Sequence, residues 1–203
     1  MTEGVVERFG SLIGLGGDAE RMAGERRWSA SEFEGVFLEY YGRVVGVLHR
    51  FLGDRTRSEE LANDVFWRLY QQPLRPEPDG NIGGWLYRTA TNLGIDALRS
   101  SARRERYEQA AGRELAAGSD PNPLDDVLRS EQCQRVRAVL AALKPGQAQA
   151  LALRSSGCSY NDLAEALGVK RGSVGTMLIR AEAEFKKRYL EMYGSGQELG
   201  FGS

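Results

Sequence analysis

The sequence contains few of the side chains that usually build catalytic or metal-binding sites. It has two cysteines, Cys133 and Cys158, and one histidine, His49, among 203 residues. Two cysteines cannot form a disulfide scaffold or, by themselves, a cysteine-rich zinc site, and this scarcity favours a reducing compartment such as the cytoplasm. No nucleophile motif accompanies His49, so it is predicted to be an ordinary helix residue rather than a general base. We therefore expect no catalytic residue, no metal ion and no cofactor.

Long apolar runs and phosphate-binding loops are missing as well. No stretch approaches the roughly 20 apolar residues of a membrane helix. The N-terminus also lacks the basic start and apolar core of a secretory signal, so direct membrane insertion is not expected. Neither a GxxxxGKS/T nor a GxGxxG motif occurs, which argues against a nucleotide-binding enzyme. The 27 basic residues are balanced by 28 acidic ones, so any binding of nucleic acid must come from local basic patches.

Apolar residues recur at helical spacing after a glycine-rich N-terminal stretch. Nine apolar positions from Phe33 to Phe51 follow one another at intervals of one or three, so that alternate members are three or four apart along most of the stretch, which predicts one amphipathic helix. Ser31 and Glu34 match a capping box at its start, in which a hydroxyl and a carboxylate close the helix N-terminus. Gly53 is predicted to end this helix.

Two more helices are predicted before the middle of the chain. Thr56 and Glu59 match a second capping box, and the apolar positions of 61–69 form the buried face that follows. Three prolines and three glycines in 73–84 predict a loop. Trp85 is predicted to open the third helix.

The third helix ends in a basic cluster. Between residues 85 and 107 there are five arginines against only Asp96 and Glu105. Residues 108–128 are rich in Ala, Gly, Ser and Pro and are mostly acidic in charge, which is typical of a flexible linker between two domains.

The segment 159–180 has the pattern of a helix-turn-helix. Ser159 can cap a first helix with Asp162 three residues on, and Gly168 suits a left-handed turn because it has no Cβ. An ordinary helical hairpin would use the same packing. The DNA-binding interpretation is favoured because basic side chains stand where phosphates would lie. These are Lys170, Arg171 and Arg180.

Two parts of the chain together resemble the extracytoplasmic-function sigma factors of bacterial RNA polymerase. Residues 33–106 resemble region 2 of that family, most clearly in DRTRSEELANDVFWRLY (54–70) and WLYRTATNLGIDALR (85–99). Residues 136–188 resemble region 4, which here contains VLAALKP (139–145) near its start. Two separate motifs in the family's order are more specific than a helix-turn-helix alone.

The resemblance implies an all-α protein of two small helical domains joined by a flexible acidic linker. The implied boundaries are an N-terminal extension (1–28), region 2 (29–107), the linker (108–128), region 4 with the helix-turn-helix (129–193) and a tail (194–203). It also implies a cytoplasmic, non-enzymatic initiation factor that directs core RNA polymerase to −35 and −10 promoter elements and aids melting. The implied partners are core polymerase, promoter DNA and an anti-sigma factor.

The resemblance further assigns candidate binding residues, in three sets. The second helix would dock on polymerase through Asn63, Asp64, Trp67, Arg68 and Tyr70. The third helix would contact the −10 element through Trp85, Arg88, Asn92, Asp96, Arg99, Arg103 and Arg104. The −35 element would be contacted by Lys170, Arg171, Ser173, Thr176, Met177 and Arg180. Family members often carry basic residues where this chain has the uncharged Gly175-Thr176-Met177, which weakens the expected phosphate contacts there.

Two other functions are compatible with the residue patterns alone. A stand-alone helix-turn-helix regulator would bind its operator without polymerase. A helical adaptor with no role on DNA would tolerate charge reversal in the basic cluster.

Overall fold

The computed structural model describes residues 28–71, 81–110 and 125–194. These ranges contain seven helices and no strand, so the predicted all-α class is confirmed. The helices are α1 (Ala30–Leu52), α2 (Arg55–Gln71), α3 (Ile82–Ala110), α4 (Asp125–Ala142), α5 (Pro145–Ser155), α6 (Tyr160–Leu167) and α7 (Arg171–Tyr193). The expected N-terminal extension and C-terminal tail lie almost wholly outside the described residues.

The N-cap of α1 lies two residues before the predicted one. Ser29, not Ser31, is the N-cap: its Oγ accepts from the backbone N–H of Glu32 at 3.2 Å, and the Glu32 carboxylate accepts from the Ser29 N–H at 3.0 Å. Trp28 packs edge-on against Phe33, with ring centroids 6.2 Å apart. This hydrophobic staple across the cap selects the earlier of two serine–glutamate pairs.

The junction between α1 and α2 also differs from the predicted cap. Gly53 ends α1 in the left-handed region (φ 69°), as expected of that glycine. The next residue, Asp54, caps α2, because its Oδ1 accepts from the backbone N–H of Arg57 at 2.9 Å. Thr56 therefore lies inside α2 instead of capping it.

Helix α3 begins at Ile82, within the segment predicted as a loop. The Asn81 side chain caps it by accepting from the Gly84 N–H at 2.7 Å. Two glycines in its first turn allow close neighbours: a Cβ on Gly83 would lie 2.9 Å from the Tyr40 ring, and one on Gly84 would lie 2.7 Å from Cβ of Glu165. In the sequence these glycines favour a loop, but in the structure they allow the first turn of a helix to pack closely against its neighbours.

The predicted linker overlaps two helices. Residues 108–110 are the end of α3, and 125–128 are the start of α4. The remaining stretch, 111–124, lies outside the described residues.

Helices α1–α3 form an N-terminal unit and α4–α7 a C-terminal unit. The first has its own core of Phe33, Val44, Leu48, Ala62, Val65, Phe66, Leu69, Leu86 and Ala90. A second cluster crosses between the units, because Val47, Phe51 and Tyr87 are buried together with residues of α4–α7. Helices α4, α5 and α6 all pack against α3.

Candidate nucleic-acid interface

The helix-turn-helix forms as the sequence predicts. The Oγ of Ser159 accepts from the Asp162 N–H at 3.2 Å, and the Asp162 carboxylate accepts from the Ser159 N–H at 2.8 Å. Gly168 ends α6 with φ 66°, and the next N–H, of Val169, donates to the Ala164 carbonyl at 2.9 Å. This turn fixes the angle at which α7 leaves α6.

The predicted −35 residues lie on the exposed first turns of α7. An open cleft of about 460 Å³ is lined by Gln147, Gly172, Ser173, Thr176, Met177 and Arg180. Four of the six predicted residues share this cleft, and Lys170 and Arg171 are exposed at the N-terminal end of α7. Sequence reasoning missed Gln147, which reaches the cleft from α5, and no local signal in the sequence marks it.

A second open cleft, of about 480 Å³, lies between α2 and α3. It is lined by Arg68, Gln71, Trp85, Thr89, Asn92, Leu93 and Asp96. The lining combines a guanidinium, an indole ring and side-chain amides. These groups can pair with a phosphate, stack on a base and hydrogen-bond a base edge, respectively. Thr89 and Leu93 were not predicted as site residues, but they follow Trp85 at steps of four, and this helical spacing could have placed them beside it.

The predicted polymerase residues lie off the buried stripe of α2. The buried positions of this helix are Ser58, Ala62, Val65, Phe66 and Leu69. Asp64 is exposed, and Asn63 and Trp67 are half-buried. Trp67 stacks on Tyr70 with ring centroids 6.0 Å apart, and Tyr70 packs on Phe33 at 5.2 Å. Arg68 differs from the other four because it faces the cleft shared with α3.

Three of the predicted −10 residues contact the C-terminal unit. Arg88 donates from Nε to the Ala166 carbonyl and from Nη2 to the Glu165 carbonyl, both at 2.8 Å. Asn92 Oδ1 accepts from Gln149 Nε2 at 2.6 Å. Arg99 Nη2 donates to the Leu143 carbonyl at 2.9 Å. The remaining two arginines of the predicted −10 set, Arg103 and Arg104, are exposed on α3.

Two buried side chains that can ionise, Tyr87 of α3 and Cys158 in the turn before α6, lie in contact with each other. Burial raises the pKa of Tyr87 to about 12, against the opposing effect of a hydrogen bond with Arg43. Burial, helped by the nearby Asp162 carboxylate, raises the pKa of the Cys158 thiol to about 11. Cys158 also shares a hydrogen bond with Tyr87. The thiol is therefore protonated at neutral pH, which fits a packing role.

Within the described ranges, no group of three or more His, Cys, Asp or Glu side chains could hold a metal ion. None of the helices in that part of the chain is long and apolar enough to cross a bilayer.

The described residues thus form an all-helical protein that contains a helix-turn-helix and two open clefts. Residues 36–104 match the profile of Sigma-70 region 2, and residues 133–184 match that of Sigma-70, region 4. The first matched segment contains the residues that line the α2–α3 cleft, and the second contains the helix-turn-helix. The chain belongs to the sigma-70 family and is a sigma factor of the extracytoplasmic-function type.

Relatives of this type come from several bacteria. The chain is 28% identical over 158 residues to the ECF RNA polymerase sigma factor SigE of Mycolicibacterium smegmatis, which covers 77% of this chain and 61% of that protein. It is 24% identical over 178 residues to the RNA polymerase sigma-H factor of Pseudomonas aeruginosa, with 84% and 92% of the two chains covered. A solved complex of the sigma factor RpoE with the anti-sigma factor NepR from Bartonella quintana aligns with a TM-score of 0.48 and 19% identity, covering 78% of this chain and 97% of that one.

Proposed function

We propose that this chain directs core RNA polymerase to promoters by binding the −10 element in the α2–α3 cleft and the −35 element on α7. The observation that carries the proposal is the position of the two open polar clefts, one in each sigma-70 region. Each region thus offers a surface of its own for DNA, as binding to two spaced promoter elements requires.

The α2–α3 cleft suits an unstacked strand better than a closed duplex. Taking a base out of the stack costs a few kcal/mol, which a stacking surface and phosphate contacts can offset. Trp85 offers the ring, Asn92 the amide for a base edge, and Arg68 the charge. Reading and melting of the −10 element would therefore occur at the same place.

The face of α7 suits duplex DNA. A helix fits the major groove, where side chains near its N-terminus reach base edges. Ser173 and Thr176 would contact bases, and the flanking Arg171 and Arg180 would contact phosphates. Because Gly175 and Met177 add no charge between them, we expect this unit alone to bind DNA weakly and to depend on polymerase for affinity.

Polymerase docking is assigned to the exposed side of α2. Asp64 is exposed and Asn63 and Trp67 are half-buried, and all three lie outside both the core of the N-terminal unit and the cleft lining. In this proposal RNA synthesis belongs to the polymerase, and the chain contributes recognition and strand separation without catalysis of its own. Its place of action would be the cytoplasm, with an anti-sigma factor as a further partner.

Transcription from a pool of genomic fragments tests the proposal. Purified core polymerase would be incubated with the pool, with and without the chain, and the RNA ends would be sequenced. We expect transcripts that require the chain and start downstream of a shared pair of elements. A DNase footprint formed by the chain without polymerase, together with no chain-dependent transcript, would instead indicate a stand-alone regulator.

A further inference from the structure

One charged side chain in the α2–α3 cleft has no role in the function proposed above. Asp96 lines the cleft together with Arg68, Trp85 and Asn92, and it is exposed. DNA phosphates repel a carboxylate, so Asp96 weakens the attraction of the cleft for a nucleic-acid backbone. Its contact with DNA must therefore be with something other than a phosphate.

The carboxylate of Asp96 is unpaired, although arginines lie nearby. In the described part of the chain, no ion pair and no side-chain hydrogen bond involves Asp96. Arg99, three residues further along α3, donates instead to the Leu143 carbonyl at 2.9 Å. Arg68 shares the cleft with Asp96 but forms no ion pair with it. The cleft thus offers a ligand one positive and one negative side chain that do not neutralise each other.

The cleft is long enough for more than one nucleotide. Trp85 and Asp96 are eleven residues apart on α3, which corresponds to about 16 Å along a helix axis. Consecutive bases of a stacked strand are about 3.4 Å apart, so a base on Trp85 is not the base that contacts Asp96. Asn92 precedes Asp96 by four residues, and side chains at this spacing lie about 5–6 Å apart. These two side chains can therefore contact the same base.

Asp96 differs from the other groups of the cleft in its hydrogen bonding. A carboxylate accepts and does not donate, whereas the amides of Gln71 and Asn92 and the hydroxyl of Thr89 do both. A group that does both adapts to a donor or to an acceptor on a base. Among the described residues of the lining, Asp96 alone accepts without donating. It is therefore the group that can distinguish bases by the donors they carry.

We propose that Asp96 selects a base of the −10 element that carries an exocyclic amino group, and rejects thymine at that position. This inference rests on the proposed function. Adenine N6, cytosine N4 and guanine N2 are amino groups, whereas thymine has the carbonyl oxygens O2 and O4 and a methyl group. The carboxylate accepts from an amino group and is repelled by a carbonyl oxygen. Asn92, one turn before, contacts a neighbouring atom of the same base.

Selection from a randomised promoter tests the base preference. A promoter that responds to the chain, with its −10 element randomised and a barcode in its transcript, would be transcribed by core polymerase with the parent chain or with Asp96→Asn. With the parent we expect thymine to be depleted about tenfold at one position of the non-template strand. Asp96→Asn should accept thymine there, because its amide can donate to a carbonyl oxygen.

Glu60→Gln is the matched control. This exposed carboxylate lies on α2 outside the cleft lining, where it pairs with Arg57 at 2.8 Å. Its removal should leave the depletion of thymine unchanged. The same depletion in Asp96→Asn as in the parent would overturn the proposal. If that variant also bound core polymerase more weakly, Asp96 would be a polymerase contact instead.

A single change in the DNA isolates the amino group. Cytosine at the selected position would be replaced by uracil in a duplex that is left unpaired across the −10 element, so that base pairing has no influence. Polymerase carrying the parent chain should bind the uracil template about tenfold more weakly, and polymerase carrying Asp96→Asn should bind both templates about equally. An equal loss with both proteins would show that Asp96 does not contact the amino group.

The two hypotheses fail in different ways. If transcripts depend on the chain but the parent and Asp96→Asn share one base preference, only the assignment of Asp96 is wrong. If no transcript depends on the chain and it does not help polymerase to bind the unpaired template, the proposed function itself fails.

Discussion

Arg68 of α2 and Asn92 of α3 line the same open cleft, although sequence resemblance assigns them to different partners. The two helices also pack against each other. If the Asn92 amide reads a base, the exposed Arg68 beside it is better placed to contact a phosphate than a protein surface.

Replacing Arg68 should therefore affect DNA more than polymerase. We expect Arg68→Ala to lower the salt dependence of promoter binding by about one unit of log–log slope and to leave core binding intact. The control is Arg57→Ala on the same helix, where the guanidinium is exposed and pairs with Glu60 at 2.8 Å. A loss of affinity for core polymerase, with an unchanged salt dependence of promoter binding, would show that Arg68 contacts polymerase instead.

Asn92 and Gln149 share one hydrogen bond, and their variants separate two roles for Asn92. If Asn92 reads a base, Asn92→Ala should reduce formation of open promoter complexes about tenfold or more, since one good base contact is worth roughly 1–3 kcal/mol. Gln149→Met breaks the same bond and should retain promoter opening. Permanganate reactivity of unpaired thymines measures this. Equal defects in both variants would mean that Asn92 acts only through Gln149.

The exposed pair Arg103 and Arg104 should contribute phosphate contacts without affecting contact between the units. The double Ala variant should reduce the salt slope of promoter binding by about two units. Arg55→Ala is the control, because that arginine is exposed and pairs with Glu59 at 2.8 Å. Arg99 is expected to behave differently, since its guanidinium bonds Leu143. An unchanged slope would show that Arg103 and Arg104 are only solvated.

The cap of α6 should have a measurable effect on stability. Ser159→Ala removes the acceptor for the Asp162 N–H and should lower the free energy of unfolding by about 1 kcal/mol. Ser101→Ala, at an exposed position inside α3, should change it little. Urea unfolding measures this difference, provided that the dependence of the free energy of unfolding on urea concentration, the m value, is the same in both variants. A Ser159→Ala midpoint equal to that of Ser101→Ala would contradict the assigned cap.

Stability should fall in alkaline solution because of Tyr87 and Cys158. Their pKa values are raised by burial from 10.0 to about 12 and from 9.0 to about 11. Between the ordinary and raised values the unfolded chain releases a proton that the folded chain retains, so the free energy of unfolding decreases as pH rises. We expect the thermal midpoint to fall from about pH 9 to 12.

Tyr87→Phe tests the tyrosine contribution. This variant should lose less stability than the parent between pH 10 and 12, because phenylalanine has no proton to release. Tyr107→Phe is the control, since that ring is 74% exposed. Equal alkaline declines in all three proteins would show that Tyr87 does not contribute.

Sequence predicts best those features that neighbouring residues decide. The cap at Ser159 and the left-handed Gly168 follow from side chains within one turn, and both are confirmed. The start of α1 was predicted wrongly because the choice between Ser29 and Ser31 depends on packing of Trp28. Its indole N–H donates to the Leu69 carbonyl, 41 residues away, which no local pattern reveals.

The contacts of the candidate site residues also depend on packing between distant parts of the chain, which the sequence does not reveal. Arg88, Asn92 and Asp96 follow one another at steps of four, and the resemblance assigns all three to the same DNA element, but each step of four turns an α-helix by about 40°. Arg88 therefore faces the C-terminal unit, Asp96 faces the cleft, and Asn92 between them reaches both. The sequence places these three residues on one helix, as the structure does, whereas their contacts depend on how the units pack.

Because one buried cluster joins the two units, neither unit can unfold without destabilising the other. Phe51 and Tyr87 lose their buried surroundings when the C-terminal unit leaves, as do Leu153 and Leu163 when the N-terminal unit leaves. The free chain should therefore melt in one calorimetric transition. Any separation of the two units would expose these apolar side chains to proteases. The rate at which the units pack together again would then set how long the chain survives proteolysis.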